Sequence, residues 1–374
     1  MSEQVKSSVY KIALVLSGVC LLGALVFAII YKVPVVARAM GTGCPVLLAV
    51  GLSETSLKSF RFTVCIIAAV VAAMCFPERF LSIGSFDLRN KHLIRLIVQI
   101  VMFGMGTQMN LKDFLGVVKM PKAVIIGIAC QFTIMPLVGF SLAKTFGFPP
   151  EIGAGIILIG SCSSGLASNV MVYIAGANLA LSVTLTAVAQ LLAPFLTPMW
   201  MKLLAGQMVE VEFYSMMKNI ILMVLLPIIV ALIYNALRKD KLQRLHRIMP
   251  VLSMAGIIYF TAVTTAAGRD HLLQIGGLLF VAAILHNSIG YVLGYWATRL
   301  CGLDKDSCRT IAIEVGLQNG GMASGLAGAM GKLATVGLAP AIFSPWMNVS
   351  GSVLANFWKK HSVTKNNEPS DTDN

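Results

Sequence analysis

Charge is what this sequence has least of. Charged side chains make up 12% of its 374 residues, about half of the ~25% that soluble domains carry. Acids are the rarer sign, 16 Asp and Glu against 29 Lys and Arg, and there are five histidines. An ordinary soluble domain is excluded by that shortage. The eight cysteines form no CxxC pair, so neither a zinc site nor a disulfide framework is indicated. Polar and apolar residues do not alternate at every second position, which excludes a transmembrane β-barrel.

What the chain has instead is hydrophobicity, at 57% of residues. Runs long enough to cross a bilayer, roughly 17–25 residues, recur along its length. They predict an all-α polytopic membrane protein. Helices are expected near 12–31, 61–77, 94–110, 121–143, 150–175, 178–203, 217–236, 247–267, 273–299, 305–331 and 333–358. The run from Ile12 to Tyr31 is too long for a secretory h-region, although Ala37-Arg38-Ala39 has the form of a cleavage site; a retained helix is expected. Residues 41–52 are too short and broken to span and are expected to be re-entrant or interfacial. The polar tail, 361–374, is expected to be disordered.

The net charge of +13 does not indicate nucleic acid, because the basic residues sit in short loops between spans. Loops 111–122, 237–248 and 300–309 and the tail from 359 carry 3, 5, 2 and 3 of them; loops 144–151, 202–216, 268–272 and 332 carry 1 each. By the positive-inside rule the first set is cytoplasmic, and with it the C-terminus. The loop at 78–93, with Arg79, Arg89 and Lys91, falls on the outside against that rule.

Two stretches interrupt the apolar pattern. GSCSSGLASN, residues 160–169, places glycines, hydroxyls and an amide within membrane, and EVGLQNGGMASG, residues 314–325, does the same. Gly165-Leu166-Ala167-Ser168 recurs as Gly321-Met322-Ala323-Ser324, an offset of 156 that also carries Gln131 onto Asn287. Five spans separate the equivalents, so the second copy is inverted. Inverted repeats with two discontinuous helices crossing near the midplane belong to secondary transporters. The repeats are expected over 61–203 and 204–360, after an extra helix and linker in 1–60. Gly160 and Gly165 are expected to permit the first break, and Gly316, Gly320 and Gly321 the second.

Glu314 lies within the membrane, where a carboxylate costs about 2.5–3.5 kcal/mol and marks a functional site by default. A structural ion pair with Arg309 is the alternative, although the two fall on different helix faces. Ser168, Asn169, Gln318, Asn319 and the helix-face pair Ser182 and Thr186 surround Glu314 with hard oxygen donors, which suit a hard cation. Sodium fits this set, and a carrier protonated at Glu314 stays open. An intramembrane hydrolase is the rival of another class. GSCSSG lacks the G-x-S-x-G spacing and no intramembrane pair of aspartates is evident, so no enzyme is expected. No channel filter motif is visible.

GSCSSGLASNVMVYIAGANLALSVTLT, EVGLQNGG, FSPWMNVSGS, MFGMG, VIIGIACQFTIMP and LHNSIGYVLG together resemble the bile acid:sodium symporter family, in particular bacterial homologues of the apical sodium-dependent bile acid transporter. The resemblance covers about residues 61–360. It implies ten helices in two inverted five-helix repeats, with panel and core domains interleaved across them, and two sodium ions behind the crossing. Carried over, the first sodium site is Ser168, Asn169, Ser182, Thr186 and Glu314. The second is Gln131, Glu314, Val315, Leu317 and Gln318, with Val315 and Leu317 giving carbonyls. The substrate-facing positions are Ser163, Ser164, Leu166, Asn319, Met347 and Asn348. Where the family often has Cys-Pro-Gly-Gly-Thr, this chain has Cys162-Ser163-Ser164-Gly165-Leu166, and Met347 replaces a histidine. The sodium positions match while the substrate-facing ones change. The expectation is a monomeric sodium-coupled symporter of a small organic anion in a bacterial-type inner membrane.

Overall fold

The computed structural model describes residues 12, 13, 15–21, 24, 41–48, 61–237 and 242–366. Within the expected first span the described residues are helical, and the rest of it lies outside them. Residues 41–48 also form a helix, joined to the first by the Ser17 hydroxyl, which donates to the Cys44 carbonyl at 3.0 Å. From Arg61 the helices run α1 Arg61–Cys75, α2 Lys91–Thr107, α3 Pro121–Thr145, α4 Pro150–Ser161, α5 Leu166–Ala175, α6 Leu179–Ala205 and α7 Phe213–Leu237. They continue as α8 Leu242–Ala267, α9 Arg269–Leu300, α10 Lys305–Gly316, α11 Gly320–Ala329 and α12 Leu338–Asn366. Residues 361–366, expected to be disordered, extend α12; 367–374 lie outside the described residues. The chain is an all-α polytopic membrane protein. Among the described residues α3, α6, α7 and α9 are each long and apolar enough to cross a bilayer unaided.

Local chemistry sets the helix ends. Asn90 caps α2 by accepting the His92 amide at 2.8 Å. Asp304 caps α10 by accepting the amides of Asp306 and Ser307 at 3.0 and 2.9 Å. Such caps satisfy donors that a helix start leaves open. Gly176 ends α5 in the left-handed region, φ 66°, a conformation glycine adopts without a Cβ penalty. Pro194 and Pro198 interrupt the ladder of α6, which ends in a widened π turn, as missing proline N–H groups dictate.

The helices sort into two packed groups. α2 lies against α7 and α8, and α1 against α8; α3 to α6 pack with α9, α10 and α12. α4, α5 and α10 lie within the second group, and α11 sits at the seam, against α2, α7 and α8 as well as α12. Residues Ile152 to Ser161 of α4 and Ser307 to Gly316 of α10 are all buried. Protein therefore surrounds the breaks, which is the condition for non-helical backbone at membrane depth.

The breaks satisfy each other. Ser164 and Gln318 form an antiparallel bridge. The Asn319 amide donates to the Ser163 carbonyl at 2.8 Å and the Gly165 amide to the Leu317 carbonyl at 3.4 Å. Ser163 and Asn319, joined by the first of these bonds, are themselves 156 residues apart.

The glycines at the breaks do not permit them by backbone freedom. No glycine there has positive φ, and Gly165 has φ −110°, ψ 172°, extended backbone open to any residue. At Gly160, Gly316 and Gly320 close packing is the reason, whereas Gly165 and Gly321 meet only ordinary contacts. A Cβ on Gly160 would lie 2.5 Å from the Met135 carbonyl oxygen, one on Gly316 would strike the Tyr291 ring, and one on Gly320 would strike the Ser344 hydroxyl.

The loop that defied the positive-inside count has a partial explanation. Arg89 grips Asp87 with two bonds of 3.0 Å in a two-stranded hairpin, and that grip holds the Asp87 carboxyl below its ordinary range. Nearby, the Lys332 ammonium meets Glu151, tying the end of α11 to the start of α4.

Candidate oxygen-lined site at the crossing

Ser182, Thr186 and Gln190 recur every four residues on α6, so one face carries all three toward the breaks. All three are buried, as are Asn169 on α5 and Glu314 on α10, which is 2% exposed. The Ser182 hydroxyl meets both Asn169 Oδ1, at 2.7 Å, and Glu314 Oε1. The Thr186 hydroxyl lies 3.2 Å from Asn169 Oδ1 and 3.3 and 3.0 Å from the two carboxylate oxygens. The hydroxyls of Ser164 and Ser168 also lie beside the carboxylate, and Ser168 donates to the Gly165 carbonyl at 2.7 Å.

Counting protons shows what this cluster can do. Ser182 and Thr186 bring one hydroxyl proton each to five close oxygen contacts. A hydroxyl donates once and an ionised carboxylate only accepts. With Asn169 Oδ1 toward the two hydroxyls, several pairs face each other acceptor to acceptor, which a cation among them, a proton on Glu314 or the reversed Asn169 amide relieves. A buried carboxylate without compensation is costly as well. Arg309 does not supply the charge as expected of an ion pair: its guanidinium lies against Asp306 at 3.7 Å and over the Trp358 ring at 5.7 Å.

A second oxygen set adjoins the first. Gln131 Nε2 donates to the Cys162 carbonyl at 3.2 Å and to Gln318 Oε1 at 2.9 Å, and Gln318 Nε2 to the Val315 carbonyl at 2.6 Å. Gln131 Oε1 is buried with no hydrogen-bond partner, an unmet acceptor of the kind native interiors avoid. The Leu317 carbonyl belongs to the same break. Ser168, Ser182 and Thr186 thus lie against the Glu314 carboxylate with Asn169 bonded to the last two, while Gln131, Gln318 and Val315 form a separate bonded set. Among the described residues no group of three or more His, Cys, Asp or Glu side chains converges; the donors are hard oxygens throughout.

In front of the crossing lies a cavity of about 390 Å³ between α2, α8, α12 and the breaks. Leu166, Asn319, Met347 and Asn348 line it. Ser163 and Ser164 do not. Both are at most 1% exposed; Ser163 donates to the Met322 sulfur at 3.8 Å, and Ser164 turns its hydroxyl toward Glu314. At a break, helical periodicity no longer tells which way a side chain points.

Sequence reasoning also missed residues here. Gln190 Nε2 holds the Ser164 carbonyl at 2.9 Å; its place four residues beyond Thr186 was the available signal. Ser253, Met102, Met105, Met171 and Met254 line the cavity, and methionine in an apolar helix carries no signal that separates a cavity wall from core. Sulfurs cap the cavity's donors: the Gln318 amide meets Met347 Sδ at 3.2 Å, and Asn319 Nδ2 meets Met102 Sδ at 3.8 Å.

Comparison with known proteins fits this chemistry. A family model described as the sodium bile acid symporter family matches residues 95–275. The uncharacterized sodium-dependent transporter YocS of Bacillus subtilis is 40% identical over 300 residues, 80% of this chain and 91% of that protein. The probable chloroplastic sodium/metabolite cotransporter BASS1 of Oryza sativa subsp. japonica is 30% identical over 309 residues, 82% and 74% of the two chains. The ileal sodium/bile acid cotransporter of Homo sapiens is 30% identical over 233 residues, 61% and 66% of the two.

Proposed function

The chain belongs to the sodium bile acid symporter family, and from that premise we propose that the oxygen cluster around Glu314 binds the sodium that drives uptake of an organic monoanion. That the protein is a sodium-dependent transporter and not an enzyme follows from the family. The observation that carries it is the shortage of protons around Glu314, Ser182, Thr186 and Asn169. A cation of one charge, held by hydroxyl, amide and carboxylate oxygens, turns those contacts from repulsive to favourable.

Two ions bind, one in each set, and share Glu314. The two halves are inverted repeats, each contributing one broken helix. Gln131 on the Cys162 carbonyl and Asn287 on the Gly316 carbonyl, at 2.6 Å, support that reading, because each amide caps the same end of its broken helix. Sodium locks the crossing into one shape, and the group of α3 to α6 with α9 to α12 then moves against α1, α2, α7 and α8. Ligands bias such an equilibrium only through unequal affinity for its states. The membrane is a bacterial-type inner membrane and the C-terminus is cytoplasmic.

The cavity lining contains no Lys, Arg or His. An anionic head is met instead by the Gln318 amide and Asn319 Nδ2, weakly occupied by sulfur, and by the starts of α5 and α11, whose dipoles favour one negative charge. A second carboxylate would be desolvated against methionine without compensation. Sodium-driven uptake into vesicles is therefore expected for hydrophobic monocarboxylates and at least about tenfold weaker for dicarboxylates of equal size, a difference of about 1.4 kcal/mol. Equal uptake of both removes the argument from the lining.

Sodium is expected to raise the melting temperature of the purified protein and potassium at equal ionic strength is not. At a hundredfold excess over the dissociation constant, linkage gives about 2.7 kcal/mol. The competing reading puts a proton on Glu314, which would supply the cluster with one more donor. It requires a melting shift that follows pH and is the same in both salts.

A further inference from the structure

Asn287 and Ser350 belong to neither oxygen set and do not line the cavity, yet they join the two. α10 ends at Gly316, whose carbonyl accepts Asn287 Nδ2 at 2.6 Å. On the other side of that amide, Oδ1 accepts the Ser350 hydroxyl. Ser350 has one proton, shared between Asn287 and the Met347 carbonyl at 3.2 Å, so the Tyr291 hydroxyl at 3.2 Å is the donor toward it. Met347 lines the cavity, and its sulfur accepts the Gln318 amide at 3.2 Å. One residue of the cavity wall is thus tied to both ends of the second break. Its sulfur holds the residue after Leu317; its carbonyl, through Ser350 and Asn287, holds the residue before it.

The first break shows what the hydroxyl changes. Gln131 caps the Cys162 carbonyl as Asn287 caps Gly316, but Gln131 Oε1 has no hydrogen-bond partner, whereas Asn287 Oδ1 is taken by Ser350. The Gly316 carbonyl, which only accepts, sets which end of the Asn287 amide faces the break, and the Ser350 hydroxyl satisfies the other end and holds it there. With Oδ1 turned to Ser350, Nδ2 must point at Gly316, and the peptide on either side, bearing the Val315 and Leu317 carbonyls, is aimed accordingly.

We propose that Asn287 and Ser350 are positioning residues that aim the Val315 and Leu317 carbonyls at the second sodium and pass its arrival to Met347 in the cavity wall. The proposal rests on the two-site sodium reading above. Outer partners that orient ligands typically change metal affinity by about 10–100-fold when lost.

The test uses the purified full-length protein labelled at the methionine methyl carbons, with sodium chloride titrated against potassium chloride at constant ionic strength and read by NMR. In the wild type the Met347 methyl signal, assigned with Met347→Leu, shifts as sodium binds. Ser350→Ala is expected to weaken sodium by about tenfold and to abolish the Met347 shift at saturation. Ser350→Thr keeps the hydroxyl and is expected to restore both. Tyr291→Phe removes only the outer donor; it is expected to weaken sodium by about two- to threefold, the scale of one modest hydrogen bond, and it serves should Ser350→Ala not fold. Normal sodium affinity with a normal Met347 shift in the folded variants overturns the proposal. So does an equal loss of melting temperature in the Ala and Thr variants with sodium binding intact, since packing alone would give that. A wild type without sodium-specific binding overturns the two-site reading itself, which separates that failure from failure of the positioning role.

Discussion

Glu314→Gln is expected to lose sodium binding and sodium-driven uptake together. The substitution keeps the size of the side chain and removes its charge. Glutamine can still occupy the place between Ser182 and Thr186, so the fold should hold. What disappears is the charge that both oxygen sets share. A charge-assisted contact is worth about 1.5–3 kcal/mol, so affinity should fall by roughly ten- to a hundredfold. The sign of the stability change is the sharper readout. Glu314 is 2% exposed, and an uncompensated buried charge opposes folding. Without sodium the variant should melt at the same temperature as the wild type or higher; with sodium it should melt lower, because it gains nothing from the ion. If Glu314 served as a structural partner of Arg309, the variant would instead be destabilised in every salt, since breaking a buried pair costs about 3–5 kcal/mol, and its remaining uptake would stay sodium-dependent.

The second large effect concerns packing at the first break. Gly160→Ala should destabilise the protein by about 1–3 kcal/mol, the usual cost of overpacking, whereas Gly165→Ala should stay within about 0.5 kcal/mol. The added carbon at 160 would sit 2.5 Å from the Met135 carbonyl oxygen, 2.9 Å from its carbon and 3.0 Å from His286 Nε2. Backbone of α3 cannot swing aside, so α4 must move and take Cys162 and Ser164 with it. At 165 the nearest atom is 3.7 Å away and φ is −110°, so the methyl group meets ordinary contact and no strain. Thermal melting of the two variants decides this. Equal losses would mean that backbone freedom at the break, not close approach of α3, selects these glycines.

The site was legible in the sequence wherever a polar residue contradicted its surroundings. Gln131, Ser182, Thr186 and Glu314 stand out because nothing but a partner excuses a polar group in an apolar span; the structure bonds Ser182 and Thr186 to Glu314 and Gln131 to Gln318 at the crossing. Regular helical spacing placed Ser182 and Thr186 on one face, and the same spacing reaches Gln190. Legibility ended at the breaks. Ser163 and Ser164 turn inward because the chain there is extended and bonded to residues 317–319, a pairing between segments far apart in sequence. Residues of the cavity wall were hidden for another reason: Met102, Met105 and Met254 are as apolar as the core they adjoin. Ser350 was hidden because serine in a membrane helix ordinarily bonds its own backbone, as it does at the Met347 carbonyl, and its bond to Asn287 lies 63 residues away.

Equilibrium binding of radioactive sodium to the purified protein, in a background of potassium at constant ionic strength, tests the central claim most directly. Saturable binding that approaches two ions per chain, is untouched by potassium and is weakened at least about tenfold in Glu314→Gln is the result expected. No saturable binding, or binding that survives in Glu314→Gln with normal affinity, would contradict the assignment of the oxygen cluster to sodium.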